Sequence, residues 1–261
     1  MPGGLLSVLG IDAAWTARQP SGVALVVNRS SRWEISAVAS SYADFLGARQ
    51  GLPISDPSAL LARAAELAGR PVTLVAADIP LSHSAIVGRR ASDDAVSVAY
   101  GARYASTHTP NVLRPGPISE ELRSGFHSQG YPLRTHGLVH DGLIEVYPHP
   151  ALIELSGAPV RLPYKQGKIR RYWPDLPVPD RRLRLIEQWG SIVSLLDAEI
   201  GGVAAALILP EPAAPAKMLK AFEDSLDAVV CAWVGICALE GRAVAMGDED
   251  SAIWIPLPLQ R

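Results

Sequence analysis

Two stretches of the chain are apolar almost without interruption and each ends in an aspartate: residues 5–12 (LLSVLGID) and 72–78 (VTLVAAD). Short runs of this kind, bounded by turn-forming residues, read as strands covered on both faces. Residues 22–27 and 33–39 follow the first run at hairpin distance and carry β-favouring Val, Ile and Trp, which predicts three antiparallel strands. Ser55-Asp56-Pro57 then opens an Ala/Leu-rich stretch that closes near Gly69-Arg70-Pro71. Asp56 as N-cap and Pro57 in the first turn mark a helix there.

Residues 142–147 (GLIEVY) form another short strand, stopped by Pro148. Between the strands, residues 90–105 are predicted helical, whereas 106–135, with four prolines, read as loop, and 157–180 as an irregular insertion. A helix is expected over 181–206. Lys217–Leu239 (KMLKAFEDSLDAVVCAWVGICAL) is periodic and strongly apolar in its second half, which predicts a long, mostly buried helix. Ala252–Pro256 is the last strand candidate. The order predicts one α/β domain over residues 1–261, a mixed five-stranded sheet with helices on both faces and insertions near 84–140 and 157–215.

Composition narrows this picture. A chain of 261 residues with 48% hydrophobic and 19% charged positions can bury a sizeable core and is not a disordered polypeptide. No apolar run reaches the roughly 20 residues of a membrane span, and the opening MPGGLLSVLGID lacks the basic flank of a secretory signal, so a cytoplasmic protein is expected. Cys231 and Cys237 sit in an apolar segment without a CxxC pair and are expected to be core residues. The net charge of −2 gives no global attraction to nucleic acid. Residues 161–184, however, hold eight of the 24 basic residues, Lys165, Lys168, Arg170 and Arg171 among them, interleaved with Tyr164, Tyr172 and Trp173. Such a loop can track a phosphate backbone while its aromatics stack on bases; a solvated loop is the plainer reading.

The chemistry rests on carboxylates. Ligands of open α/β sheets bind outside the carboxyl ends of the strands, where Asp12 and Asp78 fall. Glu145 lies inside an apolar strand, an expensive place for a charge without a partner; period two puts it on one face with Leu143 and Tyr147. Asp224 and Asp227, three apart on the long helix, share a face and can converge on one cation. Gathered carboxylates repel one another unless a cation offsets them, and oxygen ligands without Cys or His select Mg²⁺ or Mn²⁺. Two such ions would suit an in-line phosphoryl displacement. His136 and His140 form HxxxH without the glutamate of a zinc protease, and GFHSQG at 125–130 misses the serine-hydrolase elbow. Bulky Trp15 after Asp12, with Gly22 distant, argues against the phosphate-cradling hairpin of sugar kinases and actin-like ATPases.

The segments VLGIDAAW, VAADIPLS, LIEVYPHP and EDSLDAVVCA, in this order, resemble the motifs of an uncharacterised family of predicted ribonuclease H-like nucleases, domain of unknown function 429. The resemblance runs from Gly10 to the closing IWIP at 253–256, and Arg90 and Asp93 fit the basic-acidic segment common after its aspartate-isoleucine-proline motif. It implies a ribonuclease H-like fold, with Asp12 as the aspartate of the first strand and Asp78 as the acid ending the fourth. Asp224 and Asp227 resemble the paired acids on the last helix of Holliday-junction resolvases. The expectation is therefore a metal-dependent nuclease with Asp12, Asp78, Glu145 and Asp227 as catalytic acids. Asp12, Asp78, Asp224 and Asp227 would hold two divalent ions, and Arg90, Lys165, Lys168, Arg170 and Arg171 would contact substrate. Two alternatives stand beside it: a non-catalytic nucleic-acid or protein binding module on the same fold, and a hydrolase of a small phosphorylated metabolite. Oligomeric state is open, a homodimer included.

Overall fold

The computed structural model describes residues 6–16, 19–47 and 56–259. A meander comes first: β1 (Ser7–Asp12), β2 (Gly22–Arg29) and β3 (Arg32–Ala39), each antiparallel to the next. Two helices follow, α1 (Tyr42–Leu46) and α2 (Pro57–Ala68), the second capped by the Asp56 side chain with Pro57 in its first turn, as the sequence predicts. β4 (Leu74–Asp78) leads to α3 (Ala91–Tyr100) and α4 (Pro117–Ser128). β5 (Gly142–Val146) runs directly into α5 (Pro148–Ser156). The rest is α6 (Ile169–Tyr172), α7 (Val178–Glu199), α8 (Val203–Ala206), α9 (Ala216–Leu239), β6 (Ala243–Gly247) and β7 (Ala252–Pro256).

The strands form one mixed sheet in the order β3-β2-β1-β4-β5-β7-β6. The expected five strands are thus corrected to seven among the described residues. Strand β7 is the predicted last candidate. β6 is a half-exposed edge strand whose AVAMG has a single β-branched residue, so its local pattern is weak, and it exists by antiparallel pairing with β7. The stretch 106–135 is also corrected, because it contains α4. Its prolines look like breakers, yet Pro117 occupies the first turn, where the missing N–H costs nothing, and Leu122 and Phe126 are buried against the sheet. Pro148 ends β5 and begins α5 by the same logic.

Period two along the central strands divides the core. Val8, Leu74, Ala76, Ile144 and Val146 pack on one face with α5, α7 and α9; Leu9, Ile11, Val75, Ala77 and Leu143 pack on the other with α2 and α4. Helix α9 is buried from Phe222 to Ala238, so it is enclosed nearly all round. Cys231 and Cys237 are free and buried within it. Among the described residues no helix is long and apolar enough to cross a membrane.

Two glycines set how closely α9 lies on the sheet. A Cβ on Gly10 would stand 2.2 Å from the Ala228 carbonyl oxygen, and one on Gly22 would stand 2.0 Å from that of Asp224. Gly22 is the cross-strand partner of Asp12, so the missing side chain brings the helix segment bearing Asp224 down beside that aspartate. Gly22→Ala is expected to lower the unfolding free energy by about 2–3 kcal/mol, since the clash is with backbone and the helix must lift. Denaturant unfolding checks this, and a variant as stable as the parent would contradict the close approach.

Candidate functional site

Strand pairing places the first two acids together. β1 and β4 are parallel neighbours, and Asp12 pairs in register with Asp78 at their carboxyl ends. Both belong to the face that α9 covers, since they continue the alternation of Val8 and Gly10 and of Leu74 and Ala76. Both line a cavity of about 780 Å³ together with Glu223 and Asp224 of α9.

The site splits into an acidic floor and a basic wall. On the floor, Asp227 is fully buried; its Oδ1 accepts from the Tyr164 hydroxyl at 2.8 Å, and its Oδ2 takes the Lys165 ammonium. Lys165 Nζ is also 3.6 Å from Glu223 Oε1, and the Gln166 N–H donates to Glu223 Oε2 at 2.5 Å. Lys220 donates to Glu223 Oε1 at 2.9 Å and Asp224 Oδ1 at 2.5 Å. Asp224 Oδ2, by contrast, is buried without a hydrogen-bond partner.

The electrostatics follow from this crowding. Burial, then repulsion from Asp227, raises the Asp12 carboxyl well above the usual range. Burial pushes Asp78 up to about 8 although Lys165 opposes it, and raises Asp224 against the pull of Lys220. Burial acts in the same sense on Glu223, but Lys165 and Lys220 outweigh it and hold that carboxyl below its ordinary value. Burial lowers Lys165, but Asp227, Tyr164, Glu223 and Asp12 together outweigh it, so its ammonium is held well above the ordinary range. Lys165 and Lys220 are therefore the cations that offset this acidic group.

The wall is built by the turn after β5 and by the segment 161–168. Arg114, Arg161 and Lys168 line it, and among the described residues none of the three has a carboxylate partner. His149, in the first turn of α5, stacks edge-on against Tyr147 and Tyr164 at centroid distances of 5.4 and 5.3 Å. Its Nδ1 is buried without a partner, as is Arg161 Nε. Burial first, then Lys165 and Arg161, lowers the His149 imidazole well below its ordinary value, which leaves it neutral. Trp15 lines the mouth, with the Arg114 guanidinium 5.9 Å from its ring.

Of the acids expected from sequence, Asp12, Asp78 and Asp224 open on the cavity and Asp227 lies just behind them. Glu145 is not brought into this group. It sits on the opposite face of the sheet, one position short of the pairing partner of Asp78, and is clamped by Arg90. The guanidinium donates to its two oxygens at 2.6 and 2.8 Å and to Asp93 at 3.0 Å, while the Leu81 N–H donates to Glu145 Oε2 at 2.6 Å. Arg90 is consequently buried and does not line the cavity. Lys165 and Lys168 do line it, whereas Arg170 and Arg171 are exposed on α6 outside it. Sequence reasoning passed over His149 and Lys220, read Tyr164 only as an aromatic of the basic loop, and left Glu223 out of the acidic site as helix surface. The VYPHP turn and the Lys220-Glu223-Asp224 spacing were the available signals.

An all-oxygen floor of Asp12, Asp78 and Asp224 has the donor chemistry that a hard cation takes, and Asp224 Oδ2 is the orphaned atom such an ion would satisfy. As the side chains stand, no group of three or more His, Cys, Asp or Glu among the described residues is arranged to hold a metal; Lys220 occupies Asp224 Oδ1 and Lys165 the neighbouring Asp227.

Fold and cavity together define a mixed α/β protein with an anionic centre at the strand ends, walled by cations. The family model described as "Protein of unknown function (DUF429)" matches residues 10–252, and the chain belongs to that family. No curated protein and no solved structure matches it.

Proposed function

We propose that the protein is a ribonuclease H-like, metal-dependent phosphodiesterase acting on nucleic acid, with Asp12, Asp78 and Asp224 as the ligands facing the cavity and Asp227 supporting them from behind. The observation that carries the reading is the register pairing of Asp12 with Asp78 beside a buried, unpartnered oxygen of Asp224. An antiparallel meander followed by parallel strands, with acids ending the first and fourth strands and paired acids on the last long helix, supports it further.

When bound, Mg²⁺ or Mn²⁺, two ions in the fullest version, supplies a Lewis acid and a nucleophilic water at neutral pH. The protein's own groups do the rest. The carboxylates give up their protons to hold the charge, and the loss of repulsion between them favours occupancy. Arg114, Arg161 and Lys168, free of carboxylates, draw the anionic substrate against the wall and orient it. Lys165, paired with Asp227 behind the floor and lining the cavity, would present its positive charge to a phosphate bound there.

Purified protein with Mn²⁺ is expected to nick branched, hybrid or single-stranded nucleic acid, and Asp12→Asn to lose at least about a hundredfold in rate. Cleavage undiminished in that variant would remove the mechanism. One observation favours a second reading: the Lys165 ammonium already neutralises the acidic floor, as a non-catalytic binding module would need. Calorimetry separates the two, because that module gives no Mn²⁺ heat, whereas the enzyme gives a heat that Asp78→Asn abolishes.

A further inference from the structure

We infer that His149, Arg161 and Lys168 form a phosphate-binding subsite on the cavity wall, distinct from the carboxylates, that takes a terminal phosphate monoester of the substrate. Three observations converge on the same spot. His149 Nδ1 and Arg161 Nε are both buried with no hydrogen-bond partner, although both belong to residues lining the cavity. Buried polar atoms are nearly always satisfied, and two orphans on one wall call for a ligand that supplies what they lack.

The charge says what kind. Arg161 and Lys168 lack carboxylate partners among the described residues and stand close enough to His149 to depress its charge. Burial first, then Arg161, Arg171 and Lys165, lower the Lys168 ammonium as well, so the wall holds mutually repelling positive charge that an anion would relieve. His149 contributes a neutral imidazole, able to donate from Nδ1, and its backbone N–H belongs to the first turn of α5. Pro148 and Pro150 leave that N–H flanked by residues without donors, at the positive end of the helix.

Two unpaired cations plus neutral donors match a dianion with three acceptor oxygens, which is a monoester; an internal diester carries one charge and two such oxygens. The subsite depends on the nuclease reading only for where that phosphate comes from. Its existence is measured without metal or turnover.

Inorganic phosphate titrated into the full chain in EDTA is the probe. Binding is expected to weaken by about tenfold in Arg161→Gln and in Lys168→Ala. Arg170→Gln, which removes an equal charge from the exposed face of the same segment, is expected to bind as the parent does. No phosphate heat, or equal weakening in Arg170→Gln, overturns the subsite. Displacement of phosphate by a 5′-phosphorylated oligonucleotide, but not by its 5′-hydroxyl twin, assigns it to a nucleic-acid end. Displacement by ribose 5-phosphate alone assigns it to a small ester, and displacement by neither overturns the terminal-phosphate assignment. Phosphate binding is read in EDTA and cleavage only with Mn²⁺, so a failed nuclease assay and a failed subsite give different results.

Discussion

Arg90→Ala is expected to lower the unfolding free energy by about 3–5 kcal/mol, the largest single-residue effect on stability anticipated here. The reason is the company it keeps. Its guanidinium is the only cation paired with Glu145 and Asp93 among the described residues, and all three side chains are buried. Removal strands two carboxylates beside the sheet, frees the Leu81 carbonyl, and leaves the loop after β4 without its tie. Glu145→Gln makes the contrast. An amide retains a shape that accepts from Leu81 N–H and Arg90, and Asp93 still balances the guanidinium, so a cost of about 1 kcal/mol is expected. Chemical denaturation of both variants decides it, and equal costs would show that the clamp is not electrostatic. Because Glu145 lies across the sheet from Asp12, Glu145→Gln is also expected to leave the proposed cleavage intact. A large loss of rate would return it to the catalytic group.

The second large effect is on pH dependence. An aspartate in the unfolded chain ionises near a pKa of about 3.9. In the folded chain Asp78 does so only at about 8, with Asp12 shifted in the same direction. Between those values the folded state holds protons that the unfolded state has released. Stability is therefore greatest below the unfolded pKa and is lost as pH rises through the folded one. His149 has the opposite sign: its neutral folded form contributes stability above the ordinary imidazole pKa, lost as pH falls below it. The clean window is thus about pH 6.5 to 8, above the ordinary histidine value. There, metal-free protein is expected to lose about 1 kcal/mol per pH unit, Asp78→Asn to lose less, Asp12 still contributing, and added Mn²⁺ to reverse the slope. Thermal melts across that window test all three, and a flat profile for the parent would mean that Asp78 is already ionised.

Much of this was legible in the residues, for a common reason. Apolar runs ending in Asp12 and Asp78 mark two central strands, because a continuous hydrophobic strand must be covered on both faces, and their pairing puts the two terminal acids side by side. Asp56-Pro57 and the periodicity of 217–239 are equally local signals. What could not be read depends on partners far along the chain. β6 exists by pairing with β7, and α4 and α5 by burial of residues whose prolines look like breakers. Period two correctly set Glu145 with Leu143, but nothing local says that Arg90, 55 residues earlier, waits on that face. In the same way Asp227 meets Tyr164 and Lys165 across more than 60 residues, so a lysine that looked like a substrate contact is also an internal counter-ion.

The narrow gap between α9 and the first hairpin has a consequence for how this chain can change. Aliphatic side chains in β1 and β2 can trade places with one another at modest cost, since volume is nearly conserved. Positions 10 and 22 have no such latitude: one added methyl group at either would meet main-chain atoms of the helix. The spacing of the acids is therefore gauged by two hydrogen atoms, and drift there would part them while every carboxylate stayed in the sequence.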